Sequence, residues 1–273
     1  MTSPTRTLNY IARLMLDFHN HLMPGVDDGA ADIGESRAGL AMLAGQGVTT
    51  VITTPHMRAS ETHRGEVLYQ SLSRLDAAFA ELRELGKNEF PHMRIERGVE
   101  MMLDVPSPML IDKRMHLAGT NFVLVEFPFM SIPPNSTIPL REVRAGGVIP
   151  VIAHPERYAN IGNNLEIIES WKDSGACIQI NTGSLVGQYG STAKRIVWQI
   201  LEHGWADYLC SDYHSRGRSS IPDVAKALTE RGGAAQLRDL TVTNPERLIN
   251  GELPLRVEPL EEVQLKFWKK VFR

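Results

Sequence analysis

Apolar and polar positions along this chain fall into two alternating textures. Short β-rich runs recur at 16–21, 48–56, 93–101, 122–128, 148–155, 176–183 and 206–214. Between them, helical segments at 34–46, 64–86, 137–146, 164–174 and 190–204 are long enough to carry the chain from one strand to the next. Strand regularly followed by helix predicts a parallel sheet, because parallel neighbours need such crossovers. Seven strand units favour a closed barrel over an open sheet.

No low-complexity linker, shift of composition or repeat beyond this alternation divides the chain, so one α/β domain over residues 15–255 is expected. Residues 1–14 read as an N-terminal extension without predicted order, or as a misassigned start, and 256–273 as a basic and aromatic tail. The stretch from Pro128 to Pro139, with its Pro133-Pro134 pair, reads as a loop near the site, and the chain after Asn244 as a closing segment.

Charge and cysteine content narrow the possibilities. With 273 residues and a net charge of -3, nothing in the composition draws the chain to nucleic acid or to an anionic membrane. Cys177 and Cys210 are too few for a disulfide framework, and no export signal precedes the first strand, which makes the cytoplasm the expected location. No run approaches the roughly 18 apolar residues of a membrane span.

The strand ends carry the chemistry. His19 and His21, His56, Glu100, Glu126, His154, and Asp212 with His214 stand at the C-terminal ends of six predicted strands. In a parallel barrel these ends converge on one face, so residues distant in sequence become neighbours. Alternate strand residues point the same way, which pairs His19 with His21 and Asp212 with His214. Asp28, in the loop Pro24-Gly-Val-Asp-Asp-Gly29, adds a carboxylate where glycines let the backbone approach a ligand. Asp27 beside it is either a support behind a ligand or a turn residue.

Mixed imidazole and carboxylate ligands suit manganese, iron or zinc better than calcium, and the lack of cysteine among them argues against structural zinc. So many ligands imply more than one ion, with Glu100 as a bridge; two close cations sharing a hydroxide and a phosphoryl oxygen hydrolyse phosphoesters. Singly, each residue has a plainer reading, since a strand-end histidine is more often hydrogen-bonded structure and Glu126 could be half of an ion pair. Their recurrence at strand after strand favours the metal site. His63, His92, His116 and His203 lie off these ends and read as structural.

The motifs Asp17-Phe-His-Asn-His21, Val26-Asp-Asp-Gly29, Thr54-Pro-His56, Gly98-Val-Glu100, Val125-Glu-Phe127, Ala153-His-Pro-Glu-Arg-Tyr158, Gln179-Ile-Asn181, Ser211-Asp-Tyr-His214 and Asn244-Pro-Glu-Arg-Leu248 run nearly end to end. Together they resemble the polymerase and histidinol phosphatase (PHP) superfamily. Within it they are most similar to the manganese-dependent protein-tyrosine phosphatases of capsule and exopolysaccharide operons, the CpsB/CapC/YwqE type. The resemblance implies a distorted (β/α)7 barrel of PHP type with two or three divalent transition metals, manganese foremost and iron or zinc as alternatives. The implied ligands are His19, His21, Asp28, His56, Glu100, Glu126, His154, Asp212 and His214. It also implies phosphate binding by Arg157 and Arg218, whose planar forks match a phosphoryl group; the loop of Arg218 is one residue shorter than the family pattern.

The reaction so implied is hydrolysis of a phosphoric monoester, phosphotyrosine, in control of capsule or exopolysaccharide synthesis. A metal-bound hydroxide attacks phosphorus in line, the metals and Arg157 stabilise the equatorial oxygens, and His56 or His214 assists the departing oxygen. A phenolate leaves with a pKa near 10, so the acid matters less than for an alkyl ester. Histidinol-phosphate or nucleotide hydrolysis by the same centre, and a non-catalytic regulator gripping a phosphoprotein, are the alternatives. A thiol mechanism is suggested by Cys210-x5-Arg216, but Asp212 two residues away would raise the thiol pKa and no glycine precedes Arg216 within the loop.

The implied partner is the phosphotyrosine tail of a capsule-associated tyrosine kinase, with no nucleic acid. The terminal Leu265, Trp268 and Phe272 could share one helical face, for peripheral contact with a membrane or partner or for packing on the barrel. Loops 57–63, 128–139 and 183–191 must choose the substrate, and none carries a readable specificity pattern.

Overall fold

The structure is a computed structural model that describes residues 15–215 and 220–260. Residues 1–14, Arg216, Arg218 and the terminal Leu265, Trp268 and Phe272 lie outside the described residues.

Among the described residues nine strand segments build the wall: β1 Met15–Asp17, β2 Val48–Thr53, β3 His56–Arg58, β4 Arg94–Arg97, β5 Glu100–Met102, β6 Phe122–Glu126, β7 Ile149–Ala153, β8 Cys177–Asn181 and β9 Tyr208–Cys210. All pairs are parallel, in two sheets ordered β1-β2-β4 and β3-β5-β6-β7-β8-β9. The segments β2 and β3 are one strand interrupted at Thr54 and Pro55, and β4 and β5 are one strand interrupted at Gly98 and Val99. Pro55 has no N–H to give a ladder, yet its carbonyl accepts from Glu100 N (3.0 Å) and Thr53 O accepts from Gly98 N (3.0 Å), so the two strands stay side by side through the break. The wall closes where Asn20 bridges Tyr213, with Asp212 N donating to His19 O (2.8 Å) and His21 N to Tyr213 O (2.9 Å). Counted as continuous strands the order is one to seven around a ring, the (β/α)7 barrel expected.

Alternation along the strands sorts the core into two shells. Leu16, Phe122, Leu124, Ile149, Val151, Ala153, Cys177, Tyr208 and Cys210 form one buried cluster inside the barrel. Val123, Val125, Ile152, Ile178, Ile180 and Leu209, the residues between them, pack outward with the helices. Each such side chain, once fully buried, contributes roughly 1.5–3 kcal/mol. Carried two residues further, the inward rows reach Glu126 in β6 and Asp212 after β9, while Gln179 and Asn181 occupy inward positions of β8 itself. The barrel is thus apolar below and polar at its mouth.

The helices are α1 Ile33–Gly45, α2 Gly65–Glu89, α3 Thr137–Ala145, α4 Ile167–Asp173, α5 Thr182–Val186, α6 Gly190–Glu202, α7 Ile221–Glu230, α8 Ala234–Arg238 and α9 Asn244–Ile249. Asp32 caps α1 by accepting from Gly34 N (2.8 Å) and Glu35 N (3.0 Å). Five of these are the crossovers expected, with ends shifted by a few residues. The short α5 and the closing group α7 to α9 are additions; α7 buries Ile221, Val224 and Leu228 on one face. Packing continues beyond residue 255: Val257 and Leu260 are buried, and Leu260 N donates to Leu201 O (3.0 Å). No helix among the described residues is long and apolar enough to cross a membrane.

Candidate metal centre

The chain turns sharply where the strands end. His154 (φ 33°) and Asp212 (φ 52°) adopt the left-handed conformation, which costs a non-glycine residue on the order of 1–3 kcal/mol and clusters at functional sites. At the end of β1, Gly29 lies against the chain: a Cβ there would sit 2.1 Å from His21 O and 2.4 Å from His21 Cβ. The acidic loop thereby folds directly over His21.

All nine strand-end and loop residues come together. His19 Nε2 lies 3.2 Å from both Glu100 Oε2 and Asp212 Oδ1, and His21 Nε2 lies 3.3 and 3.5 Å from the same atoms. His56 Nδ1 is 3.3 Å from Glu100 Oε2 and 3.5 Å from Glu126 Oε1, while its Nε2 is 3.5 Å from Asp28 Oδ1. His214 Nε2 is also 3.5 Å from Asp28 Oδ1, and His154 Nε2 is 2.9 Å from Glu100 Oε1. Three overlapping sets have ligand atoms within 4.8 Å of one another: His19, His21, Glu100 and Asp212; His56, Glu100 and Glu126; and His21, Asp28, His56 and His214. The first is buried, whereas Asp28 (68% exposed) and His56 (39%) open the third to solvent.

His19 Nε2, His21 Nε2, Glu100 Oε2, Asp212 Oδ1 and His154 Nδ1 are buried yet make no hydrogen bond of good geometry. A buried polar atom left bare costs about 1–3 kcal/mol, and a divalent cation satisfies imidazole nitrogens and carboxylate oxygens together. The donor set fits such ions.

The groups behind the cluster aim it. His19 Nδ1 is 2.8 Å from Gln179 Oε1 and His21 Nδ1 is 2.7 Å from Asp27 Oδ2, so each Nδ1–H is taken and each Nε2 faces inward. Asp27 also accepts from Gly29 N and His56 N, so it is both support and turn residue. Asp17 accepts from Ser211 N (2.9 Å) and Ser211 Oγ (2.6 Å), tying the first strand to the last just below Asp212.

Burial alone would lower the His19 pKa, but Glu100 and Asp212 outweigh it and lift the imidazole to about 9. His21 is likewise raised against burial, by Asp212, Asp27 and Glu100. Burial pushes the carboxyls of Glu100 and Asp212 up, and the His19 charge together with the contacts of His21 and His154 more than reverses this, leaving both low. His19 and His21 thus face Glu100 and Asp212 as raised imidazoles against lowered carboxyls.

Arg157, in the turn after β7, is about one quarter exposed; its Nη1 donates to Asp212 Oδ2, which also accepts from Asn181 Nδ2 (2.8 Å). Its guanidinium lies over the Tyr189 ring, 4.2 Å from the centroid. Burial, followed by Asp212, raises the Tyr189 hydroxyl to about 12, so it stays neutral. Loop 128–136 is fastened to the Arg157 turn by Ala159 N to Met130 O (2.9 Å) and by Asn160, which bonds both Ile132 N and Ile132 O. Gln179 and Asn181 appeared in the sequence only as part of a resemblance; as polar residues in the inward row of a buried strand they carried a signal that alternation alone could reveal. Tyr189 had no such signal.

Three further histidines each bond a backbone carbonyl away from the cluster. His63 bonds Ser107 O, His116 bonds Thr120 O and Leu110 O, and His203 bonds Gln199 O. Cys210 is fully buried inside the barrel, and burial followed by Asp17 pushes its thiol well up, which deprives the Cys-x5-Arg spacing of a nucleophile. Cys177 is buried too, and its thiol is also raised.

Known proteins resemble this chain in sequence and fold. The tyrosine-protein phosphatase YwqE of Bacillus subtilis is 28% identical over 248 residues, covering 90% of this chain and 95% of that protein. The tyrosine-protein phosphatase CpsB of Streptococcus pneumoniae is 27% identical over 249 residues, covering 88% and 100%. A solved structure from work on YwqE and CpsB, described as unique metal-dependent tyrosine phosphatases, superposes with a TM-score of 0.74 at 26% identity, covering 92% of this chain and all of that one. The family described as "Capsular polysaccharide synthesis, CpsB/CapC" matches residues 15–250. The barrel, its cluster and this match together make the chain a member of the CpsB/CapC family.

Proposed function

We propose that this protein is a metal-dependent protein-tyrosine phosphatase acting in capsule or exopolysaccharide synthesis. The observation that carries the reading is the set of bare, buried nitrogens and oxygens on His19, His21, Glu100 and Asp212, converging within 4.8 Å of one another beside a mouth open to solvent. The names of the relatives supply the substrate class.

In this reading His19, His21, Glu100 and Asp212 would hold one ion, and His56, Glu100 and Glu126, with His154 beside Glu100, would hold a second. Asp28 and His214 serve a third, more exposed one. Two or three ions are implied, manganese foremost, with iron or zinc as alternatives. When bound, such ions acidify water and offset the charge of phosphoryl oxygens.

The chain's own side chains do the rest. Arg157, with Nη1 on Asp212, offers the remaining N–H groups of its fork to the equatorial oxygens of the phosphoryl group. His56 or His214, on the open side, carries the proton of the departing oxygen. The phenolate leaves with a pKa near 10, so this proton is worth less than for an alkyl ester. Arg218 stays a candidate for phosphate binding on the resemblance alone. The substrate proposed is the phosphotyrosine tail of a capsule-associated tyrosine kinase, met in the cytoplasm, where two free cysteines are at home.

The test uses chelator-stripped protein with manganese, iron, zinc or magnesium restored, assayed on phosphotyrosine peptide, histidinol phosphate and nucleotides beside a His21→Ala variant. Recovery with a transition metal, preference for the peptide and a dead His21→Ala are expected. Undiminished activity after stripping, or preference for histidinol phosphate, would overturn the reading.

A further inference from the structure

Resting on the phosphatase reading, we propose that Tyr189 is the residue that selects aryl over alkyl phosphate esters. It stands between α5 and α6, and the chain bends on either side of it at Gly187 (φ 88°) and Gly190 (φ 89°). A Cβ on Gly183 would lie 2.8 Å from Tyr189 Cε2, so the ring leans on bare backbone at the start of α5. That seat fixes the ring at the barrel mouth, yet it remains 39% exposed.

The ring's placement relative to the phosphoryl position follows from Arg157. The guanidinium lies over the Tyr189 ring and reaches Asp212 at the floor of the site. A phosphoryl group gripped by Arg157 is therefore bordered by the ring, and the ester oxygen, which faces away from the buried cluster, directs its substituent past the exposed part of that ring. An aryl substituent finds a flat, neutral partner there, with offset or edge contact available. An alkyl substituent finds little.

Tyr189 is thus the side chain that gives loop 183–191 its part in substrate choice. It touches the substrate's leaving group and backs Arg157, without entering the cluster of candidate ligands.

The experiment is calorimetric titration of manganese-loaded protein with benzylphosphonate and methylphosphonate, neither of which is hydrolysed, so binding is read without turnover. Wild type, Y189F and Y189L are compared. Expected is a loss on the order of tenfold in benzylphosphonate affinity for Y189L, methylphosphonate affinity holding within about twofold, and full retention in Y189F. Equal losses for both ligands in Y189L, or no loss for either, would overturn the assignment. Failure of the phosphatase reading shows separately, as absence of metal-restored hydrolysis of phosphotyrosine peptide by wild type.

Discussion

Asp27 Oδ2 sits 2.7 Å from His21 Nδ1, and this one contact decides which nitrogen of His21 faces Glu100 and Asp212. Supports of this kind are worth about 10–100-fold in metal affinity. Asp27→Ala should weaken manganese binding by that amount in a chelator-competition titration; unchanged affinity would show that the ring is held well enough without it.

The cluster balances imidazoles against carboxylates, but its bare atoms leave stability to be gained from a cation. Saturation at about 100 times Kd adds about 2.7 kcal/mol, which for a domain of this size raises the melting temperature by roughly 5–10 °C. Thermal scans with and without manganese after chelator treatment check this, and coincident melting curves would contradict it.

Arg157 donates a charged hydrogen bond to Asp212 in a partly buried setting. Arg157→Ala should lower kcat/KM for phosphotyrosine peptide by on the order of 10²–10³, and Arg157→Lys should recover little, because a point charge cannot replace a planar fork. Steady-state kinetics with circular dichroism as a folding control decide it; full activity in Arg157→Lys would reject the fork argument.

Both thiols are buried, and burial is the main reason their pKa values are raised. Neither should label with a disulfide reagent at pH 8 until the protein unfolds, and Cys210→Ser should keep its metal-dependent activity. Rapid labelling of the native protein with parallel loss of activity would revive the thiol mechanism.

Gly29 leaves no room for a side chain over His21. Gly29→Ala should destabilise the protein by about 1–3 kcal/mol and displace Asp27 and Asp28, so that denaturant midpoint and metal affinity fall together. A stable variant with normal metal binding would show that the loop can rise without consequence.

Much of this arrangement was legible in the sequence because barrels convert order along the chain into convergence in space. The runs ending at His56, Glu100, Glu126, His154 and Asp212 needed only the rule that strand ends share a face. The support residues were harder to read. Gln179 touches His19 across 160 residues and Asp17 touches Ser211 across 194, contacts that no local spacing encodes. The interruptions at Pro55 and Val99 were also hidden, since each falls within a single β-rich run. The helices α7 to α9 went unread because they follow the last strand, where no crossover demands them.

Those interruptions divide the wall into two arcs, and the divided wall makes fastening and catalysis a single inheritance. His19 and His21 follow the first strand of one arc, whereas Glu100 and Asp212 belong with the strands of the other. An ion held by all four is a rivet through both. Stripping such an ion should therefore loosen the seam between the arcs as well as end the reaction, whereas loss of the outer Asp28 or His214, on the open side, should leave the seam as it was.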